Sequence, residues 1–292
     1  EGTGMQSLYL PDLDAHLCYH DLPGREPACV YLHGIGSASS ADFPHIPHDP
    51  RLAPYRALLI DLLGFGFSDR PSAFPHTFEA HAGVIARLLD RLGLRGCHVI
   101  GHSMSGSLAT VFAAARPDLV SGLVVSECNF EPEDATFSRM ILDQSATEED
   151  YVATGHAVMI AQAEEWAAAD PVMGWAPGAF RAADPRAMYR CAVALVTCHL
   201  RETFLGLDVP RTYIFGAHSL PHQHEPLLQA GGVPMAVVPE AGHMMMVDNP
   251  EAYAAILSST LAGEEIPPRY RHVAMFGSAA APLAEVAPKR KA

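Results

Sequence analysis

The stretch Val99-Ile-Gly-His-Ser-Met-Ser-Gly106 constrains this chain more than any other. An apolar run from Cys97 to Ile100 stops at Gly-His-Ser, and a small-residue helical pattern from Gly106 to Ala115 follows at once. The pattern predicts a buried strand, a very tight turn and a helix, with Ser103 at the apex. Gly101 and Ser105, two positions to either side, are small enough to let strand and helix approach closely and leave the serine on a strained backbone. Its hydroxyl would stand at the carboxyl end of a buried sheet, beside helix amides that favour negative charge.

The segments around it repeat one rhythm. Ser7 to Leu10 and Ala15 to Asp21 flank Pro-Asp-Leu-Asp and read as an opening hairpin. Ala28 to Leu32, Arg56 to Ile60, Val120 to Ser126, Arg211 to Phe215 and Met235 to Val238 are nearly all apolar, as strands buried on both faces are. Helical spacing separates several of them, clearest in Thr77 to Leu92 and in the helix expected after Asp248-Asn-Pro. Strands alternating with helices predict an α/β domain with a mostly parallel sheet and helices on both faces. The rhythm breaks over 129–208, where helical patterns (Glu148 to Ala169, Pro185 to Leu205) occur without a strand. We therefore expect a core from 5–128 and 209–262, a helical lid over 129–208, and a flexible tail over 263–292.

Composition removes several function classes. The formal charge of −14 argues against nucleic acid and anionic membrane as partners. No apolar run reaches the roughly 20 residues that cross a bilayer. The six cysteines are scattered, three of them in or beside strands, which predicts buried thiols in a reducing compartment. With no basic-then-apolar leader visible, a cytoplasmic location is expected. Homo-oligomerisation stays open.

A serine nucleophile needs a base, and His243 is the candidate among sixteen histidines. It lies in Pro239-Glu-Ala-Gly-His-Met-Met-Met-Val-Asp-Asn-Pro250, after a strand and before a helix, which in a parallel sheet is the edge that carries Ser103. Taken together, these motifs resemble the α/β-hydrolase superfamily. Gly101-His-Ser-Met-Ser matches its nucleophile elbow, with serine for the commoner second glycine, and His33-Gly34 matches its oxyanion loop. Asp61-Leu-Leu-Gly-Phe-Gly-Phe-Ser-Asp-Arg-Pro71 resembles its loop after the fourth strand, and Gly242-His243 with Asp248 and Pro250 its histidine segment. The resemblance spans about 6–262 outside the lid and implies an eight-stranded α/β-hydrolase fold.

It also implies a third catalytic member. The family usually carries its acid after the seventh strand, but no carboxylate occurs from Val209 to His224, and His218 or Ser219 stands in that place. The strand after the elbow helix ends in Ser126-Glu-Cys-Asn-Phe-Glu131, and haloalkane dehalogenases place an acid at that position. Glu127 is the expected acid, Glu131 and then Asp134 the alternatives, and a Ser103–His243 dyad the reading without one. The resemblance assigns the oxyanion donors to the amides of Ile35 and Met104, with Gly36 an alternative to Ile35. His33 is expected to brace that loop, and Asp61 to hold a turn. His218, His222 and His224 lack a zinc-module spacing and are read as a solvated loop, so no metal or cofactor is expected. Met244 to Met246 fit either a pocket wall or core packing, and Cys128 fits a buried thiol.

The expected activity is serine-dependent hydrolysis of a carboxylic ester with a small or medium apolar acyl group. Hydrolysis of carbon–carbon bonds in diketone-like substrates is the alternative, and a non-catalytic ligand receptor on the same fold the bland one.

Overall fold

Six parallel strands form the centre of a nine-stranded sheet in the computed structural model, which describes residues 4–274. The strands are β1 (Met5–Leu10), β2 (Ala15–Leu22), β3 (Arg25–Leu32), β4 (Tyr55–Ile60), β5 (Cys97–His102), β6 (Val120–Ser126), β7 (Arg211–Gly216), β8 (Met235–Val238) and β9 (Arg271–His272). They lie in the order β1-β2-β4-β3-β5-β6-β7-β8-β9, with β1, β2 and β9 antiparallel to their neighbours. Alternate residues feed opposite faces. Val30, Leu32, Val99, Leu123 and Val125 join the larger core, while Cys29, Tyr31, Ile100, Val124 and Ile214 join the smaller. Two-sided burial is why these strands read as unbroken apolar runs.

Short α1 (Ser39–Asp42) follows β3, and α2 (Phe78–Arg91) packs against α3 (Met104–Ala115) on the larger-core face. The order reverses at β3 and β5: the chain runs outward from β3 to β4, then crosses back to β5. Ligands of open α/β sheets collect outside the carboxyl ends of strands at such a point. The loops that begin at His33 and Ser103 are therefore brought together by topology.

Between β6 and β7 the chain is helical throughout, as the spacing predicts, but more finely divided. It forms α4 (Thr136–Leu142), then α5 (Glu148–Asp150) running through a π turn into α6 (His156–Ala169). Next come α7 (Ala176–Ala182), α8 (Pro185–Thr197) and α9 (Arg201–Leu205). The helix expected to continue to Leu205 breaks at Cys198, whose backbone is extended, so that the Leu200 amide can donate to the Phe130 carbonyl at 2.7 Å. Then α10 (Glu225–Ala230), α11 (Met245–Asp248) and α12 (Pro250–Leu261) complete the layers, with the side chain of Asn249 capping α12.

Two expectations need correction. The sheet has nine strands rather than eight, and the chain after 262 does not at once become a tail. Ile266 and Tyr270 are buried, β9 pairs with β8, and His272 Nε2 lies 2.8 Å from Glu225. Buried apolar anchors hold this segment despite its prolines and short strand. The rest of the expected tail, 275–292, lies outside the described residues. No helix among the described residues is long and apolar enough to cross a membrane.

Candidate active site

Ser103 takes φ 52° and ψ −124°, a left-handed conformation that side chains rarely adopt. Its amide donates to the Ser126 carbonyl at 2.8 Å, and its carbonyl accepts from the Gly106 amide at 2.9 Å. The close approach that forces this turn is visible at Gly101, where a Cβ would lie 2.3 Å from the Ser105 carbonyl oxygen. Ser105 does more than stay small: its buried hydroxyl donates to the carbonyl of His33 and ties the elbow to the neighbouring loop. The sequence offered only its size as a signal.

That loop is braced from beneath. His33 is fully buried, and burial holds its imidazole below the usual histidine range. Nε2 accepts from the Leu62 amide at 3.1 Å, which fixes the proton on Nδ1, and Nδ1 donates to the Gly34 carbonyl at 2.8 Å. Asp61 holds the turn above, accepting from the amide and hydroxyl of Ser40 and the amide of Phe67. A Cβ at Gly34 would stand 3.2 Å from Ser103 Cβ, so backbone faces the serine there. The Met104 amide opens α3 and has no intrahelical partner, and Ile35 lines the cavity.

In the register, His102 sits opposite Ser126, so Glu127 leaves β6 beside Ser103 at the same edge. Glu127 is itself left-handed, at φ 43°. Its Oε2 accepts from His243 Nδ1 at 2.7 Å, and its Oε1 accepts from the Gly216 amide at 2.9 Å. Burial pushes this carboxyl up, but the hydrogen bond and charge of His243 oppose it. Further hydrogen bonds from the Ser219 hydroxyl and the Gly216 amide help bring it to about 2. Ser219, in the place where the acid was sought and not found, thus supports the Glu127 carboxylate. Since an ionised carboxylate only accepts, His243 carries its proton on Nδ1 and leaves Nε2 as a base. The His243 ring packs on His102 with centroids 4.7 Å apart, and the Gly242 amide is held by Asp248 at 2.9 Å. Among the hydrogen bonds of the described residues, none joins the Ser103 hydroxyl to this ring; such contacts commonly close only with substrate in place.

The other carboxylates are engaged elsewhere. Glu131 pairs with His199 at 2.8 Å, and Asp134 with His224 at 2.9 Å. The 218–224 loop is not the solvated loop expected. His224 is buried between Asp134 and the Tyr213 hydroxyl, and His222 is part-buried on the cavity wall, because Phe130, Tyr213 and Phe215 supply aromatic faces to both rings. Cys128 is buried and its thiol pushed well up by burial, as are the other five cysteines buried and unpaired.

Ser103, His243 and Glu127 line one cavity of about 330 Å³. Phe137, Trp166, Trp175 and Phe180 enter it from the 129–208 helices, and Met244 from the His243 loop, while Met245 and Met246 go to the core. Asp42, which nothing in its own segment marks, also lines it. Its Oδ1 accepts from the Ser37 hydroxyl, its Oδ2 is buried without a partner, and burial pushes the carboxyl up to about 7.

The strand order and the elbow are those of the α/β-hydrolase fold, and comparison with known proteins agrees on that fold. The family model described as alpha/beta hydrolase fold matches residues 27–165. A 2-hydroxy-6-oxononadienedioate/2-hydroxy-6-oxononatrienedioate hydrolase of Dechloromonas aromatica is 36% identical over 116 residues, 39% of this chain and 40% of that protein. A lipase of Mycobacterium tuberculosis is 36% identical over 130 residues, 44% of this chain and 45% of that protein. The chain thus matches less than half the length of these curated relatives. An esterase structure from Exiguobacterium antarcticum superposes with a TM-score of 0.71 at 19% identity, covering 88% of this chain and 98% of that one. The chain has the α/β-hydrolase fold, and its residues 27–165 match that family model.

Proposed function

We propose that this protein is a serine hydrolase that cleaves a carboxylic ester of a small or medium apolar acyl group. The observation that carries the reading is the 2.7 Å Glu127–His243 hydrogen bond in the cavity that Ser103 lines. The Ser103 hydroxyl attacks the ester carbonyl carbon as His243 Nε2 takes its proton. Glu127 orients the ring and stabilises the imidazolium without accepting the proton. The tetrahedral oxyanion is held by the amides of Ile35 and Met104, each such donor being worth about 3 kcal/mol. His243 returns the proton to the departing alkoxide, and water, activated by the same imidazole, releases the acid. No cofactor is required. Residues 129–208 act as the lid, with Phe137, Trp166, Trp175 and Phe180 forming an apolar roof that suits an apolar acyl chain. Six unpaired cysteines fit a cytoplasmic home.

A second reading draws on the Dechloromonas relative, whose name describes hydrolysis of an oxo-dienedioate. The same serine, base and oxyanion donors would serve carbon–carbon cleavage beside a carbonyl. A fluorophosphonate probe and a panel of chromogenic esters of graded chain length, run beside a diketone substrate, test both. Labelling at Ser103 with greater kcat/KM on short or medium esters is expected. Greater kcat/KM on the diketone moves the assignment to the second reading, and failure of folded protein to label overturns the enzyme reading.

A further inference from the structure

Away from the candidate active site, the helical segment meets the core at three buried side chains whose chemistry the hydrolase reading does not use. His76 precedes α2, His81 lies in its first turns, and Cys191 projects from the middle of α8. His76 Nδ1 and His81 Nε2 are 3.3 Å apart, Cys191 Sγ is 3.9 Å from His81 Nε2, and one ligating atom from each residue falls within 4.8 Å of the others. We propose that His76, His81 and Cys191 form a binding site for one thiophilic closed-shell cation, zinc(II) or copper(I), that fastens α8 to the core.

The geometry is that of a coordination sphere. With metal–nitrogen bonds of ~2.0–2.1 Å and a metal–sulfur bond of ~2.3 Å, a tetrahedral centre sets its ligand atoms roughly 3.3 Å apart for N···N and roughly 3.6 Å for N···S. The observed nitrogen pair already meets the first spacing, and Cys191 Sγ, 3.9 Å from His81 Nε2 and with the three ligand atoms all within 4.8 Å of one another, reaches the second by rotation of its side chain. Two imidazoles and a thiolate are soft or borderline donors, which select these two cations over magnesium or calcium. Copper(I) is satisfied by three ligands and makes the assembly neutral, whereas zinc(II) adds an exogenous fourth.

Hydrogen bonding within the protein does not complete this cluster. His76 Nδ1 and His81 Nε2 share one N–H···N contact of 3.3 Å, and the Cys191 thiol is a weak donor 3.7 Å from the His76 carbonyl. The surroundings hold the rings in place. Phe74 packs edge-on against both, and Gly64, at φ 88°, leaves the room that His76 and Ala187 occupy, since a Cβ there would lie 2.8 Å from His76 Cε1 and 2.4 Å from Ala187 Cβ. Binding would displace the thiol proton to solvent and join α2 to α8, the joint that Arg190 also closes by donating to the carbonyls of Ser72 and Phe74.

The test uses the full chain, freed of any affinity tag and kept reduced, incubated separately with zinc(II), copper(I) and cobalt(II) and passed through a desalting column. One equivalent of zinc or of copper should remain per chain, with a rise in Tm of roughly 5 °C. Cobalt should give a thiolate-to-metal charge-transfer band in the near ultraviolet. Cys191→Ser should lose that band, and both Cys191→Ser and His76→Gln should hold less than a tenth of the metal. Whichever of zinc and copper is retained identifies the cation. Retention of neither, no thiolate band in the wild-type chain, or full retention in folded Cys191→Ser overturns the proposal. If the variants do not fold, the wild-type cobalt band decides alone. Ester hydrolysis is not a readout, so the outcome is independent of the function proposed above.

Discussion

Glu127 and His243 meet at 2.7 Å although 115 residues separate them in the chain, because β6 and β8 deliver both to the sheet edge that bears Ser103. The carboxylate's second oxygen is occupied by the Gly216 amide, so its orientation is fixed from two sides. An acid held this way has one position to offer the imidazole, and Glu131 and Asp134 are committed to other histidines.

Glu127→Gln should keep the fold and lower kcat for ester hydrolysis by roughly 10³–10⁴, since an amide can offer the imidazole the wrong tautomer. Glu131→Gln should stay within a few-fold of wild type. Steady-state kinetics beside circular dichroism checks the pair; near-normal turnover in Glu127→Gln would transfer catalysis to a dyad.

Ser105→Ala removes the hydroxyl that the His33 carbonyl accepts while keeping a small side chain next to the elbow. The His33–Ile35 backbone then loses its tie to α3, and the Ile35 amide is less well placed for an oxyanion. A fall of about tenfold in kcat with KM nearly unchanged is expected, because the oxyanion exists only beyond the ground state. An equal rise in KM with constant kcat would instead mean that the tie shapes substrate binding.

Gly101→Ala tests the other half of the elbow. The new methyl would stand 2.3 Å from the Ser105 carbonyl oxygen and 2.9 Å from Gly106 Cα, both backbone atoms that cannot rotate away. A loss of at least ~2 kcal/mol in urea unfolding is expected. Unchanged stability would mean that strand and helix can separate, contrary to the close packing described.

The strands, elbow and His243 were legible because each is written locally, as an apolar run, a small-residue turn or a loop between a strand and a helix. The position of Glu127 within reach of His243 was legible from its strand end together with the missing later carboxylate. What supports it was not: Ser219 and the Gly216 amide reach it from β7 and its loop, and nothing in their own neighbourhood marks them for that task. Ser105 was read for its volume and turned out to matter for its hydroxyl. The burial of His224 and the strand at Arg271 depend on contacts with Asp134 and Ala236, each remote in sequence. The same is true of His76, His81 and Cys191, whose spacing fits no metal motif because two helices far apart in the chain bring them together.

Asp42 supplies a signature in pH. Burial raises its carboxyl to about 7 in the folded chain, with Asp61 adding to the rise and Ser37 and His243 opposing it. In the unfolded chain it titrates near 3.8. Below that value both states hold the proton and the group contributes nothing to the difference. Between 3.8 and 7 only the folded state keeps it, so stability falls as pH rises, by ~4 kcal/mol over the whole window, and stays level above it. Glu127 acts in the opposite sense and elsewhere: its folded value of about 2 lies below the unfolded 4.5, so its contribution is present above 4.5 and is lost as pH falls toward 2. The two windows barely overlap, which allows them to be separated. Asp42→Asn keeps an acceptor for Ser37 and cannot ionise. Its unfolding free energy should therefore be flatter than wild type from pH 5 to 7 and exceed it by a few kcal/mol at pH 8. Parallel profiles for the two proteins in urea titrations would show that Asp42 is already ionised in the folded state.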